Sequence, residues 1–355
     1  MNSKQEIIDA LNRENKGDAP PAIFTQSGTV PQMEACGCFW PEANFEVDKM
    51  IELALQPSKL LGFATARIPY DITSQAERLG CTVQNGTKNS QPAVISSPWN
   101  TGEFMDPPDF MSPDEFLAGG RVALYLEAAE RISKEHPELF LTSAMIGPQS
   151  VAAYLVGMEN FLMGQFMEPD TMLKWVEAVA PHQYAYAHEL SVRSDNVMVI
   201  VEGAEEVTPI ESLDSFVVPF ETKLFKHINE SFSLVHTCGE TSNSMKVLAD
   251  LGETVLSVES RGNPQKIVDA VGDKVALAGG VDPIATLLQG TPESIVASAK
   301  QANEAGYQII MPARACPHRT AKVPLLITFS ITHYDVFVKR ENIRKAVGSA
   351  HIYRH

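Results

Sequence analysis

Between residues 197 and 311 the chain repeats one pattern five times: a short apolar run, then polar or helical sequence. The runs are 197–201, 232–238, 254–259, 275–278 and 307–311. After 232–238, Met245, Leu248 and Ala249 fall at helical spacing, and 264–271 reads as a helix. A further helix carries its boundaries in the text, with Thr291 as N-cap, Pro292 in the first turn and Gly306 past the end. Unbroken apolar strands alternating with amphipathic helices dictate parallel strands joined by crossover helices.

The first half supplies three more strands. Residues 22–25 follow Pro20-Pro21, 63–68 form a second run, and 140–146 form a third, stopped by Gly147-Pro148. From 151 to about 194 the sequence predicts two or three helices, broken near Pro169 and Pro181. Between about 80 and 112, Gly, Asn, Ser and Pro dominate, which predicts a long excursion with one hairpin. Eight strands result, the later ones about 20 to 35 residues apart. No glycine-rich phosphate loop follows the first strand, so a (β/α)8 TIM barrel fits better than an open doubly wound sheet. The expectation is one barrel domain over 1–355 with an N-terminal extension.

The chain has 28 basic and 44 acidic residues, a formal charge of −16, which disfavours nucleic acid or an anionic membrane surface as partner. At 44% apolar and 20% charged it has ordinary globular composition, with no apolar run approaching the roughly 18 residues of a membrane span. Five cysteines, at 36, 38, 81, 238 and 316, are too sparse for a disulfide framework. The start leads into an amphipathic helix, not an apolar signal segment, so the chain is expected to be soluble and cytoplasmic.

Chemistry concentrates in Leu234-Val235-His236-Thr237-Cys238-Gly239. Side chains two apart on a strand share a face, so His236 and Cys238 project together at a strand's C-terminal end. That end of a barrel is where active sites are built, and imidazole and thiolate are both zinc donors. Glu259 ends the next strand at the same rim, and Cys316 follows the last strand by five residues. Barrel closure is expected to bring these residues together, with His236, Cys238 and Cys316 as permanent zinc ligands and Glu259 as a displaceable fourth. A thiol entering such a site would lose its proton and become a nucleophile.

The sequence resembles the methylcobamide:coenzyme M methyltransferases of the uroporphyrinogen decarboxylase superfamily, from about residue 5 to 320. The marks are Phe39-Trp40-Pro41-Glu42-Ala43, Ile68-Pro69-Tyr70-Asp71, the stretch from Gly157 to Met163, Val235-His236-Thr237-Cys238-Gly239, and Gly280-Val281-Asp282-Pro283. The resemblance implies a zinc ion, a corrinoid carried by a partner protein as methyl donor, and a small thiol such as coenzyme M as acceptor. It also implies a catalytic role for Asp71, for which capping a helix from Ile72 is the alternative. Where the family reads Pro-Gly-Cys-Gly, this chain reads Pro312-Ala313-Arg314-Ala315-Cys316-Pro317-His318, so His318 stands as an alternative ligand to Cys316. Residues 321–340 read as an insertion.

Other candidates have ordinary explanations. Glu202, Glu205 and Glu206 are expected on a solvated loop, Cys36 and Cys38 in packing, and Met158, Phe161, Leu162 and Met163 on an apolar helix stripe. Three other functions are weighed against methyl transfer to a thiol. Porphyrinogen decarboxylation is disfavoured, because the loop Gln26-Ser27-Gly28-Thr29 carries no arginine for substrate carboxylates. A methyltransferase giving a substrate methyl to cobalt(I), and a noncatalytic zinc or corrinoid-binding protein, stay open.

Overall fold

A computed structural model describes residues 3–25, 28–201, 210–239, 241, 243–258 and 264–313. Among the described residues nine strands are assigned: β1 (Thr65–Ile68), β2 (Thr82–Gln84), β3 (Ala93–Ser96), β4 (Phe140–Ile146), β5 (Asn196–Ile200), β6 (Phe232–Thr237), β7 (Val255–Val258), β8 (Ala276–Val281) and β9 (Ile309–Pro312). Seven form one parallel sheet in the order β1-β4-β5-β6-β7-β8-β9. The remaining two, β2 and β3, make the single antiparallel hairpin expected in the 80–112 excursion.

The sheet curls into a barrel, and the segment at 20–25 takes the eighth place. Ala22 N–H donates to Ile310 O (3.0 Å), and Ile310 N–H donates to Pro20 O (3.2 Å). The expected first strand is therefore a single parallel bridge, Pro21 to Ile310. Pro20 and Pro21 have no N–H to offer, which limits the ladder there.

Alternation along each strand separates the barrel interior from the outer layer. Phe24, Phe140, Ala144, Met198, Leu234, Val255, Ala276, Ala278, Ile309 and Met311 form the inner cluster. Their sequence neighbours Leu141, Val197, Val235, Leu256, Leu277 and Ile310 belong to the clusters that pack on the helices. The helix Lys4–Leu11 closes the lower end. Ile7, Ala10 and Leu11 join the inner cluster, Lys4 pairs with Asp195 just before β5 (2.7 Å), and Ser3 with Glu6 forms a capping box. The N-terminal end of the barrel is thus covered by this helix.

Two local expectations are corrected. Pro181 does not break the helix Pro169–Ser191, which continues through it. Buried Trp175, Val176, Val179, Tyr184, Ala187 and Leu190 hold that helix against the barrel, and this packing outweighs the lost hydrogen bond. The run read as 275–278 extends further: β8 continues through Gly279 and Gly280 to Val281. Gly280 has φ +92°, and a Cβ there would collide with that of Ala302 on the helix Pro292–Ala305. The glycine thus permits a close helix–strand approach as well as an unusual backbone angle. That helix has the caps expected, Thr291 and Gly306. The proposed insertion at 321–340 lies outside the described residues.

Candidate metal and thiol site

β6 delivers the site. Its odd-numbered Val235 packs outward, so His236 faces the barrel interior, where it is 4% exposed. The parallel ladders set His236 between Ile200 on β5 and Ser257 on β7. Its carbonyl accepts from Val201 N–H (3.0 Å), which fixes the last turn of the strand. Cys238 stands just past the strand end, and Gly239 (φ +90°) turns the chain away. The Cys238 side chain is exposed at the mouth.

Both ring nitrogens of His236 are engaged. Nδ1 lies 3.1 Å from Ser257 Oγ, and Nε2 lies 3.3 Å from Cys238 Sγ. In the tautomer protonated on Nδ1, His236 donates to Ser257, and its Nε2 lone pair accepts from the Cys238 thiol. A metal-binding histidine needs this arrangement: one nitrogen held by a neighbour, the other presenting its lone pair beside a second donor. Two donors of one tetrahedral zinc, with Zn–S about 2.3 Å and Zn–N about 2.0 Å, stand about 3.5 Å apart. The observed 3.3 Å is close to that spacing, so this pair fits a zinc ion in both chemistry and separation.

Glu259, Cys316 and His318 lie outside the described residues, as do Glu202, Glu205 and Glu206. Among the described residues no cluster of three His, Cys, Asp or Glu side chains forms. The pair His236–Cys238 is therefore the part of the expected ligand set that the structure brings together. Ser257 is a residue the sequence reading missed. Its signal was there: a lone hydroxyl in Val255-Leu256-Ser257-Val258, at period-two spacing from the expected ligand Glu259.

Asp71 lies just beyond β1, and its side chain is fully buried. Its Oδ1 accepts from Thr73 N–H and Thr73 Oγ1 (both 2.8 Å). Its Oδ2 accepts from Arg121 Nη1 (2.6 Å) and from the Tyr125 hydroxyl. Arg121 also donates to Glu77 (2.6 Å) and Thr73 Oγ1 (2.9 Å). The helix here starts at Ser74, not at Ile72, and Asp71 pins the turn that leads into it. Arg121 and Tyr125, on the helix Gly120–Glu135, could not be tied to Asp71 from sequence because fifty residues separate them.

Cys36 ends the helix Val30–Cys36, and Cys38 follows two residues later. Cys38 is buried in the outer cluster with Met33 and Trp40, and burial, then Cys36 beside it, pushes its thiol up to about 11. It is a packing residue, as expected. No helix among the described residues is long and apolar enough to cross a membrane.

Fold and site together define a (β/α)8-barrel protein with an imidazole–thiol pair on one strand at the open mouth. The uroporphyrinogen decarboxylase (URO-D) family model matches residues 2–321. The methylcobamide:CoM methyltransferase MtbA of Methanosarcina mazei is 30% identical over 312 residues, 86% of this chain and 90% of the relative. MtaA of Methanosarcina barkeri is 28% identical over 313 residues, 87% of this chain and 91% of the relative. A solved methyltransferase from Methanosarcina mazei superposes with a TM-score of 0.87 at 28% identity, covering 93% of this chain and 97% of that one. The chain belongs to the uroporphyrinogen decarboxylase family, in the branch of the methylcobamide:CoM methyltransferases.

Proposed function

We propose that the protein is a zinc-dependent methyltransferase that moves a methyl group from a methyl-cobalt(III) corrinoid, carried by a partner protein, to a small thiol such as coenzyme M. The observation that carries this is the His236–Cys238 pair at the barrel mouth, with His236 held from behind by Ser257. The names of the relatives at about the same length support the substrate classes. Zinc, when bound, supplies a Lewis acid that lets a thiol lose its proton near neutral pH.

This chain's residues do the rest. His236 presents Nε2, and Ser257 keeps the ring from rotating away. Cys238 offers a thiolate, and Cys316, or His318 in its place, would add a third donor. Anionic sulfur ligands keep the charge at the site low, so an arriving thiolate stays electron-rich. Glu259 would be the displaceable ligand that yields to it. The plugged lower end of the barrel excludes water from beneath. In the transfer, a sulfur–carbon bond forms as the carbon–cobalt bond breaks, and the electron pair remains on the corrinoid substrate as cobalt(I). Asp71 contributes by pinning the turn after β1. The whole chain forms one barrel domain, with 321–340 inserted near its end, working in the cytoplasm.

Anaerobic mixing of the purified protein with methylcobalamin and coenzyme M should produce the cobalt(I) spectrum and methylated thiol. Absence of both, with demethylation of a methoxy or methylamine substrate in the presence of cobalt(I), would overturn the assignment in favour of the first half-reaction.

A further inference from the structure

Among the described residues Arg67 is a buried cation with no ion-pair partner. It stands on β1, where Ala66 pairs with Leu141 on the outward side and Thr65 pairs with Phe140 of the inner cluster. Arg67, paired with Thr142, therefore turns inward. It is 3% exposed. Among the described residues its one hydrogen bond runs from Nη1 to the carbonyl of Pro69, beyond the strand's C-terminal end, and its Nε is buried without an acceptor. The nearby carboxylate, Asp71, is committed to Arg121 and Tyr125.

A guanidinium cannot escape burial by shedding its proton. Burial pushes Arg67 down to about 10, opposed by Tyr70, Asp71 and Tyr125, so it is cationic at neutral pH. Withdrawing such a charge from water without an anion is costly, and an anionic ligand would offset that cost. The side chain bends toward the same rim that carries Cys238. In the sheet order, β1 and β6 stand three places apart, on facing walls of an eight-stave ring. Arg67 and the His236–Cys238 pair thus address one mouth from opposite sides.

We infer that Arg67 anchors an anionic tail, a sulfonate or carboxylate, at the far end of the thiol substrate whose sulfur is received at His236 and Cys238. The forked guanidinium suits a group with two or three equivalent oxygens. The assignment deepens the methyl-transfer function proposed above and rests on it. It makes the protein selective for small charged thiols over neutral ones of the same size.

Two measurements test this. In calorimetric titration, ethanesulfonate and propionate, which carry the tail but no thiol, should bind wild-type protein, while R67M should lose that binding. In steady-state transfer from methylcobalamin, the kcat/KM ratio of coenzyme M, or 3-mercaptopropionate, over 2-mercaptoethanol should fall about 10- to 100-fold in R67M. The relative strength of the two charged thiols distinguishes a sulfonate site from a carboxylate site. Unaltered ethanesulfonate binding in R67M, or an unaltered ratio, would overturn the anchor. Should R67M not fold, R67K keeps the charge without the fork and should lower the same ratio, and a wild-type protein showing no preference for charged thiols overturns the anchor by itself. Wild-type protein that methylates no thiol yet binds ethanesulfonate through Arg67 would sink the methyl-transfer function and leave the anion site standing.

Discussion

Ser257 Oγ lies 3.1 Å from His236 Nδ1, across the parallel ladder that sets the two residues opposite each other on β7 and β6. The hydroxyl fixes which nitrogen of the imidazole faces the mouth, and such outer contacts typically govern metal affinity by 10- to 100-fold. S257A should therefore weaken zinc binding about 10-fold or more in competition with a chelating dye. Its melting temperature should change little, because the fold's core does not depend on that hydroxyl. Wild-type zinc affinity in S257A would show that the ring is oriented by something else.

Glu221 gives a pH dependence of stability. It is 1% exposed, Oε2 has no partner among the described residues, and burial raises its carboxyl to about 8. In the unfolded chain a glutamate releases its proton near 4.3. Between these values the folded protein holds a proton that the unfolded chain has lost. Stability from this group is thus complete below the unfolded value and is lost as pH rises through about 8. E221Q, which mimics the neutral acid, should flatten the decline of melting temperature between pH 5 and about 8. Glu253, raised similarly to about 8 by burial, will leave a residual slope.

The barrel was largely legible in the chain because parallel strands buried on both faces are written as apolar runs. The limits of β4 agree with the text, and the caps at Thr291 and Gly306 stand where read. What failed was local: Pro181 is carried by packing around it, and β8 runs past 278 through Gly280, where a glycine lets a helix come close. At the site, the period-two rule was enough to bring His236 and Cys238 together. Ser257 was readable by the same rule, but only once β6 and β7 were known to be in register. Arg67 was not readable, since a single arginine in an apolar run does not reveal which face it takes or that its hydrogen bond goes to a carbonyl.

Asp71 ties the turn after β1 to the helix Gly120–Glu135 through Arg121, with both side chains 3% exposed or less. Removing one member of a buried pair strands the other, at a typical cost of about 3–5 kcal/mol. D71N retains shape and some hydrogen bonding, so it should fall at or below the lower end of that range, and D71A should exceed it. Thermal or urea denaturation measures both. A D71A protein as stable as wild type would show that Arg121 is satisfied by Glu77, Thr73 and Tyr125 alone.

Removal of metal separates the site from the fold. The inner and outer clusters contain neither His236 nor Cys238, so chelation should leave the helical and strand content intact while abolishing thiol transfer. Each of H236A and C238A should lose stoichiometric zinc on metal analysis, while R67M should retain it, because Arg67 offers no metal-binding lone pair. Lowering pH should release zinc from wild type, since imidazole and thiol must both be deprotonated to bind it. Full zinc retention in both H236A and C238A would place the metal elsewhere and leave the 3.3 Å His236–Cys238 contact as an ordinary thiol–imidazole hydrogen bond.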